Sequence, residues 1–189
     1  MNLKLFHNIL LHCQNILIHK WLVFKFMARL GMPWQGIKHD LSKFSKTEFI
    51  ESIKFFQGNR SPIDAAKEKQ GYSLAWLHHK GRNPHHYEYW IDYIDKGGVS
   101  QIIPYKYAAE MVCDYIAAGK VYLNKKWTEK SPYEYWMQNK FNTAKIHPLL
   151  KDFFTEVFEE IAEEGLYETL RFPKMEAIYN LNVTFIIEK

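Results

Sequence analysis

Cysteine is almost missing from this 189-residue chain: only Cys13 and Cys113 occur, far apart and without a C-x-x-C pair. That excludes a disulfide framework and a cysteine zinc site, and it points to a reducing compartment. Long apolar runs are missing too. The stretch from Leu3 to Leu30 is broken by Lys4, His7, His12, His19, Lys20, Lys25 and Arg29, so it falls short of the ~18 apolar residues that a membrane span requires. No small-residue cleavage site follows it. No Lys/Arg run exists either, although residues 1–60 carry net +6 and the rest net −2. The lysines are spaced singly as solvated helix faces, which argues against nucleic acid as a partner. A protein of the cytoplasm with no membrane partner is expected; the oligomeric state is not readable.

Composition fits one folded domain, with 47% hydrophobic and 24% charged residues. Helix signals dominate. Apolar residues recur at helical spacing from Leu3 to Leu30 and stop at Gly31 and Pro33. A short helix follows from Trp34 to about Lys38. Ser45-Lys46-Thr47-Glu48 reads as a capping box opening a helix to about Phe56. Ser61-Pro62 and Ser131-Pro132 open helices to about His78 and Asn139, and Asn83-Pro84 opens one that places His85 and His86 in its first turn and runs toward Tyr93. Pro104 starts a long helix through Asp114 to about Val121. Pro148 to Glu164 is amphipathic. The tail Leu181–Ile187 reads as a strand or an irregular extension. The expected fold is all-α: a single helical bundle of about seven to nine helices over 1–189, with a core about 3–121 and a helical extension about 131–189.

What the chain has in excess is histidine, nine in all, with His78, His79, His85 and His86 inside one short window. Set on the expected helices, His19, His39-Asp40, His78-His79, His85-His86 and Asp114 bring candidate ligands from five elements. Imidazole and carboxylate suit Fe, Mn, Zn, Ni or Co, and a helical bundle can enclose one or two such ions. Asp114 sits among small apolar residues, where a buried carboxylate needs a partner. His79 is favoured over His78 by a thin margin, as the nearer to the loop leading to His85. Neighbours on a helix diverge by about 100°, so one of His85 and His86 can lie outside the ligand set. His12 shares a helix face with His19, and a hydrogen-bonded core histidine explains it equally well. Lys43, three residues after Asp40, is placed to hold a phosphate oxygen.

The order His, His-Asp, further His and a distant Asp resembles the HD-domain superfamily of metal-dependent phosphohydrolases. The run His39-Asp40-Leu41-Ser42-Lys43 together with Ala75 to Trp90 is similar to an uncharacterised bacterial family of HD-like type. The resemblance implies that His19, His39, Asp40 and Asp114 hold a first metal, and that His79, His85 and His86 resemble the extra histidines of dinuclear members, with Asp40 bridging. Lys43 matches the lysine of the His-Asp-x-x-Lys variant. The segment from His79 to His85 is shorter than such members commonly have, which leaves one or two ions open.

The expected activity is hydrolysis of a phosphate ester, from a nucleotide or another small phosphorylated metabolite, by a metal-activated water. Asp40, Lys43 and Glu88 are the candidate catalytic residues, with Lys43 and Arg82 neutralising the phosphate. Glu88, three residues after His85, would orient that ligand or shuttle a proton; a solvated carboxylate is the simpler reading. Two other readings stay open: a di-iron oxygenase, and a non-catalytic metal-stabilised domain that binds a nucleotide or a partner. The aromatics around the histidines, Trp76, Tyr87, Tyr89 and Trp90, suit base stacking or plain core packing.

Overall fold

Helix α1 (Leu3–Arg29) is the spine. Its buried side chains, from His12 through Ile16 and His19 to Val23, Phe26 and Met27, fall on one face at three- and four-residue spacing. Residues 3–92, 98–138 and 145–184 are described in this computed structural model. Behind α1 come α2 (Pro33–Lys38), α3 (Lys46–Phe55), α4 (Pro62–Gln70), α5 (Leu74–Lys80) and α6 (Tyr105–Leu123). Then follow α7 (Ser131–Trp136), α8 (Pro148–Glu164), α9 (Leu166–Thr169) and α10 (Lys174–Thr184). The architecture is all-α, with no strand among the described residues. Of the ten helices among the described residues, α2, α7 and α9 have six residues or fewer. Among the described residues no helix is long and apolar enough to cross a membrane.

One core joins both halves of the chain. Val23, Phe26 and Met27 of α1 and Ala108, Val112 and Ile116 of α6 pack in a single cluster with Phe153, Phe154, Val157 and Phe158 of α8. Each fully buried large side chain contributes roughly 1.5–3 kcal/mol, so this end of the molecule is the stable one. The segment after residue 131 is therefore part of the main core. Trp136 on α7 donates from Nε1 to Thr155 Oγ1 on α8 at 2.8 Å, and Tyr179 on α10 donates to the Ile103 carbonyl at 2.7 Å.

Three expectations are corrected. The helix anticipated from Pro62 to His78 is two helices. Gly71 ends α4 in the left-handed region at φ 82°, and Ser73 caps α5 by accepting from the Trp76 amide at 3.0 Å. The helix expected after Asn83-Pro84 is instead a turn and a 3-10 segment, Tyr87–Trp90. Asn83 donates to the His79 carbonyl and Ser42 Oγ rather than capping, and Trp90 Nε1 donates back to the Pro84 carbonyl at 2.6 Å, which folds the segment on itself. Its expected end at Tyr93 lies outside the described residues, as does Asn139. Residues 181–184 of the tail are helical, as the end of α10; 185–187 lie outside the described residues.

Candidate metal centre

The site starts from how closely α2 lies on α1. A Cβ on Gly36 would stand 2.8 Å from the Phe24 Cα, so only glycine permits this approach without a shift. Lys20 of α1 donates from Nζ to the carbonyls of Ile37 and His39, tying down the end of α2. The chain then leaves α2 sharply. His39 is extended and Asp40 is left-handed at φ 55°, ψ 28°, a conformation that aspartate tolerates better than most residues. The outcome is that two neighbouring side chains turn into the same interior, facing His19 of α1 and Asp114 of α6.

Two donor groups meet at Asp40. In the first, His19 Nε2 is 3.1 Å from Asp114 Oδ1 and 3.2 Å from His39 Nε2, and His39 Nε2 is 3.1 Å from Asp40 Oδ2. In the second, His79 Nε2 and His85 Nε2 lie 3.2 and 3.4 Å from Asp40 Oδ1, with His86 alongside. Ligand atoms sharing one ion at ~2.1 Å stand roughly 3.0–3.4 Å apart, which these separations match. His39, His85 and Glu110 form a third such group.

The polar atoms themselves test the fit. Both carboxylate oxygens of Asp40 and the Nε2 atoms of His85 and His86 are buried and without an aligned hydrogen-bond partner. Asp40 is 1% exposed and His39, His79 and His85 no more than 2%. Lys43 forms an ion pair with Oδ2 of Asp40; the other unpaired acceptors, which are costly when buried, lie together around Asp40 Oδ1. These buried His, Asp and Glu groups can hold a metal ion.

Outside them stands a ring of orienting partners. His39 Nδ1 donates to Glu110 Oε1 at 2.8 Å, and His85 Nδ1 lies 3.2 Å from the same oxygen. Gln35 Nε2 donates to Glu110 Oε2 at 2.5 Å. His79 Nδ1 donates to Glu48 Oε2 at 2.8 Å, and His78 Nδ1 to Glu48 Oε1 at 2.6 Å. Putting the proton on Nδ1 leaves Nε2 of His39, His79 and His85 as the lone pair that faces the centre.

Without an ion, protons do the balancing. Burial works against the charged form of His39, but Asp40, Asp114 and Glu110 outweigh it and hold its pKa well above the ordinary value. His79 rises to about 9 despite its burial, through Asp40 and Glu48. Asp40 and Asp114 are held well below the usual carboxylate range, against burial, mainly by His39 and Lys43 in the first case and His19 and His39 in the second. His86 goes the other way, pushed well down by burial and then by His85 and His79.

The structure brings together His19, His39, Asp40, His79, His85, His86 and Asp114. Lys43 joins them, its Nζ 2.6 Å from Asp40 Oδ2 and its side chain partly exposed. His78 stays outside, bound to Glu48. Two assignments need correcting. Arg82 is exposed and does not line the neighbouring cavity. Glu88 sits in the 3-10 segment, off the cavity wall; with no α-helix there, the face it was to share with His85 does not exist. The carboxylate that orients His85 is Glu110. Glu110 and Glu48 were the functional residues that sequence reasoning missed. Glu110 lies four residues before Asp114 on α6, a spacing that puts both on one face and could have flagged it. Glu48 was hidden by its capping role, half of which exists: its amide donates to Ser45 Oγ at 3.3 Å, but its carboxylate serves the histidines.

Beside the centre lies a cavity of about 460 Å³. His19, His86, Asp114 and Lys43 form its polar end, and Phe56, Trp76, Tyr115, Tyr122, Trp127 and Tyr135 are among its walls. His12, 7% exposed, also lines it, packed against Phe49 and Phe56.

Fold and site together define an all-helical protein with a buried histidine–carboxylate cluster able to bind metal. The model of the family of unknown function DUF5662 matches residues 8–162, and the chain belongs to that family. No curated protein and no solved structure matches it.

Proposed function

We propose that the protein is a metal-dependent phosphohydrolase of HD type, acting on a phosphate monoester or diester. The observation that carries this reading is the shared Asp40: two buried sets of His and carboxylate donors meet on its two oxygens at the polar end of a cavity. His19, His39, Asp40 and Asp114 would hold one divalent ion, and Asp40, His79, His85 and His86 a second. Such ions acidify a bound water and withdraw charge from a phosphoryl group.

The chain's own residues do the rest. Glu110 and Glu48 fix the imidazole tautomers, so the ligand lone pairs face inward. Lys43 is raised in pKa because Asp40 and Asp114 outweigh its burial, which keeps its ammonium charged on the cavity wall as a donor to a phosphate oxygen. The apolar walls exclude bulk water, which strengthens that charge–charge contact.

The test is bound metal and turnover of generic phosphomonoesters and phosphodiesters by wild type and Asp40→Ala. Metal-dependent turnover that Asp40→Ala abolishes together with metal binding supports the reading. A wild type that binds no metal sinks it. The same donor set suits di-iron oxygen chemistry; iron-dependent absorbance on adding oxygen to the anaerobically reduced protein, without ester hydrolysis, would replace the hydrolase with an oxygenase.

A further inference from the structure

The cavity narrows the substrate class. It has one polar end and a body of aromatic rings, and α6 makes the room. Ala118 lies one helical turn beyond Asp114, and Gly119 leaves space that the Trp127 ring fills, since a Cβ there would stand 3.3 Å from it. The Trp127 ring thus lies flat against α6 as part of the wall, with its Nε1 covered.

Positive charge is scarce. Among the described lining residues the fixed cations are Lys43 and Arg60, and both are engaged: Lys43 with Asp40, and Arg60 with Glu68 at 2.7 Å and with Gln57 at 2.8 Å. Glu48, Asp64 and Asp114 add negative charge to the same walls. His12 supplies no cation, because burial and then Lys43 lower its pKa to about 4. Lys67 and Lys120 lie against the Trp76 and Trp127 rings, at 4.6 and 3.2 Å from their centroids, and are not among the lining residues; beyond the centre, a ligand carrying three or four negative charges would meet on the lining only Arg60, which would have to leave Glu68.

We propose that this site takes a phosphate ester of low total charge whose alcohol is a bulky, ring-bearing apolar group, and that it rejects nucleoside polyphosphates. The inference rests on the hydrolase reading for the phosphate end only. A volume of about 460 Å³ fits a small organic molecule in the usual range of ligand sites. Each added ring buries apolar surface against Trp76, Tyr122 and Trp127, while each added phosphate must be desolvated without a cation.

Non-hydrolysable phosphonates test this without turnover. The binding of methyl-, phenyl- and naphthylphosphonate, and of AMP and ATP in their non-hydrolysable phosphonate forms, to the metal-loaded protein is measured by calorimetry and by the change in tryptophan fluorescence that Trp76→Phe removes. Phenylphosphonate should bind at least about tenfold tighter than methylphosphonate, naphthylphosphonate tighter again, and ATP at least about tenfold weaker than naphthylphosphonate, following apolar burial. Val121→Phe, on the cavity lining two turns beyond Asp114, should erase the gain from the rings at unchanged metal content; Ala118→Phe, whose ring would lie against Asp114, replaces it only if circular dichroism shows that Val121→Phe does not fold and elemental analysis shows that Ala118→Phe keeps its metal. A flat series, AMP or ATP as the tightest ligand, or a ring gain that survives in the filled cavity overturns the inference. A steep series with no turnover of naphthyl phosphate would overturn the hydrolase and leave the ligand class standing. Turnover of small esters with a flat series would do the reverse.

Discussion

The two donor groups of the candidate metal centre share Asp40 but are built differently. His19 and Asp114 stand on α1 and α6, the two longest helices, whose neighbouring turns (Val23, Cys113, Ile116) belong to the main core. His79, His85 and His86 come from the seven-residue α5 and the turn after it. That half packs on α3, beside a small satellite cluster of Phe55, Ala65 and Ala66. Among the described residues its turn reaches the main core only through the partly buried Tyr87 and Trp90, and polar contacts supply the rest: Glu48 on His79, Asn83 on Ser42 and the His79 carbonyl, Trp90 on Pro84. The first subsite rests on fully buried helix packing; the second rests on two partly buried aromatics and a set of hydrogen bonds. Local opening should therefore start in the second.

The largest effect separates the halves by stoichiometry. Asp40→Ala should empty both subsites, because Asp40 belongs to both donor groups, whereas His39→Ala should empty the first. His86→Ala should leave one ion per chain in the first subsite. Elemental analysis of protein purified without chelator reads this directly. Loss of both ions in His86→Ala, or a retained ion in Asp40→Ala, would break the hierarchy.

The same contrast explains what the sequence made legible. Helix ends were readable wherever a local residue sets them: Ser45 caps α3, and Pro148 and Gly165 bound α8 where expected. Ligand types were readable because buried His and Asp are rare without a role. Gly71 was overlooked as a break because helical periodicity resumes at Leu74 across it. The turn at 83–90 was misread because Asn83 has two possible partners, its own backbone or Ser42 and His79, and only the tertiary fold decides between them. Glu48 and Glu110 act on residues 30 and 71 positions away, and no local pattern encodes that meeting.

Weakening the orienting carboxylates should reproduce the hierarchy at smaller amplitude. Removing such an outer partner costs about 10- to 100-fold in metal affinity. Glu110→Gln should lower affinity at both subsites, since one oxygen serves His39 and His85, whereas Glu48→Gln should weaken only the second. Calorimetric metal titrations of the two variants check this, and identical binding isotherms would remove the distinction.

Acidity probes the balance between proton and metal. In the metal-free protein, burial opposes a proton on His79, but Asp40 and Glu48 raise its pKa to about 9 from 6.5. The stability from that pairing is complete below pH 6.5 and is lost as pH rises through about 9. A bound ion takes the proton's place, so metal affinity grows over the same window. Melting temperatures measured with chelator and with saturating metal should diverge as pH rises, the metal-free protein falling. Parallel curves would mean that no ion competes with these protons.

The smallest effect is expected at Glu88, and its smallness is informative. Burial raises its pKa, with Tyr87 and the local backbone pulling the other way, a pattern that alone would nominate it as an acid or base. Yet it lines neither the centre nor the cavity. A group that transfers a proton must reach the reacting atoms within hydrogen-bond distance or through one water, so geometry outranks titration here. Glu88→Gln should change kcat/KM for any ester that the protein turns over by less than about twofold, and its pH profile should overlay the wild type. A tenfold loss, about 1.4 kcal/mol of transition-state stabilisation, would instead mean that the segment 83–90 closes onto the cavity when substrate binds, making the weaker half of the centre its moving part.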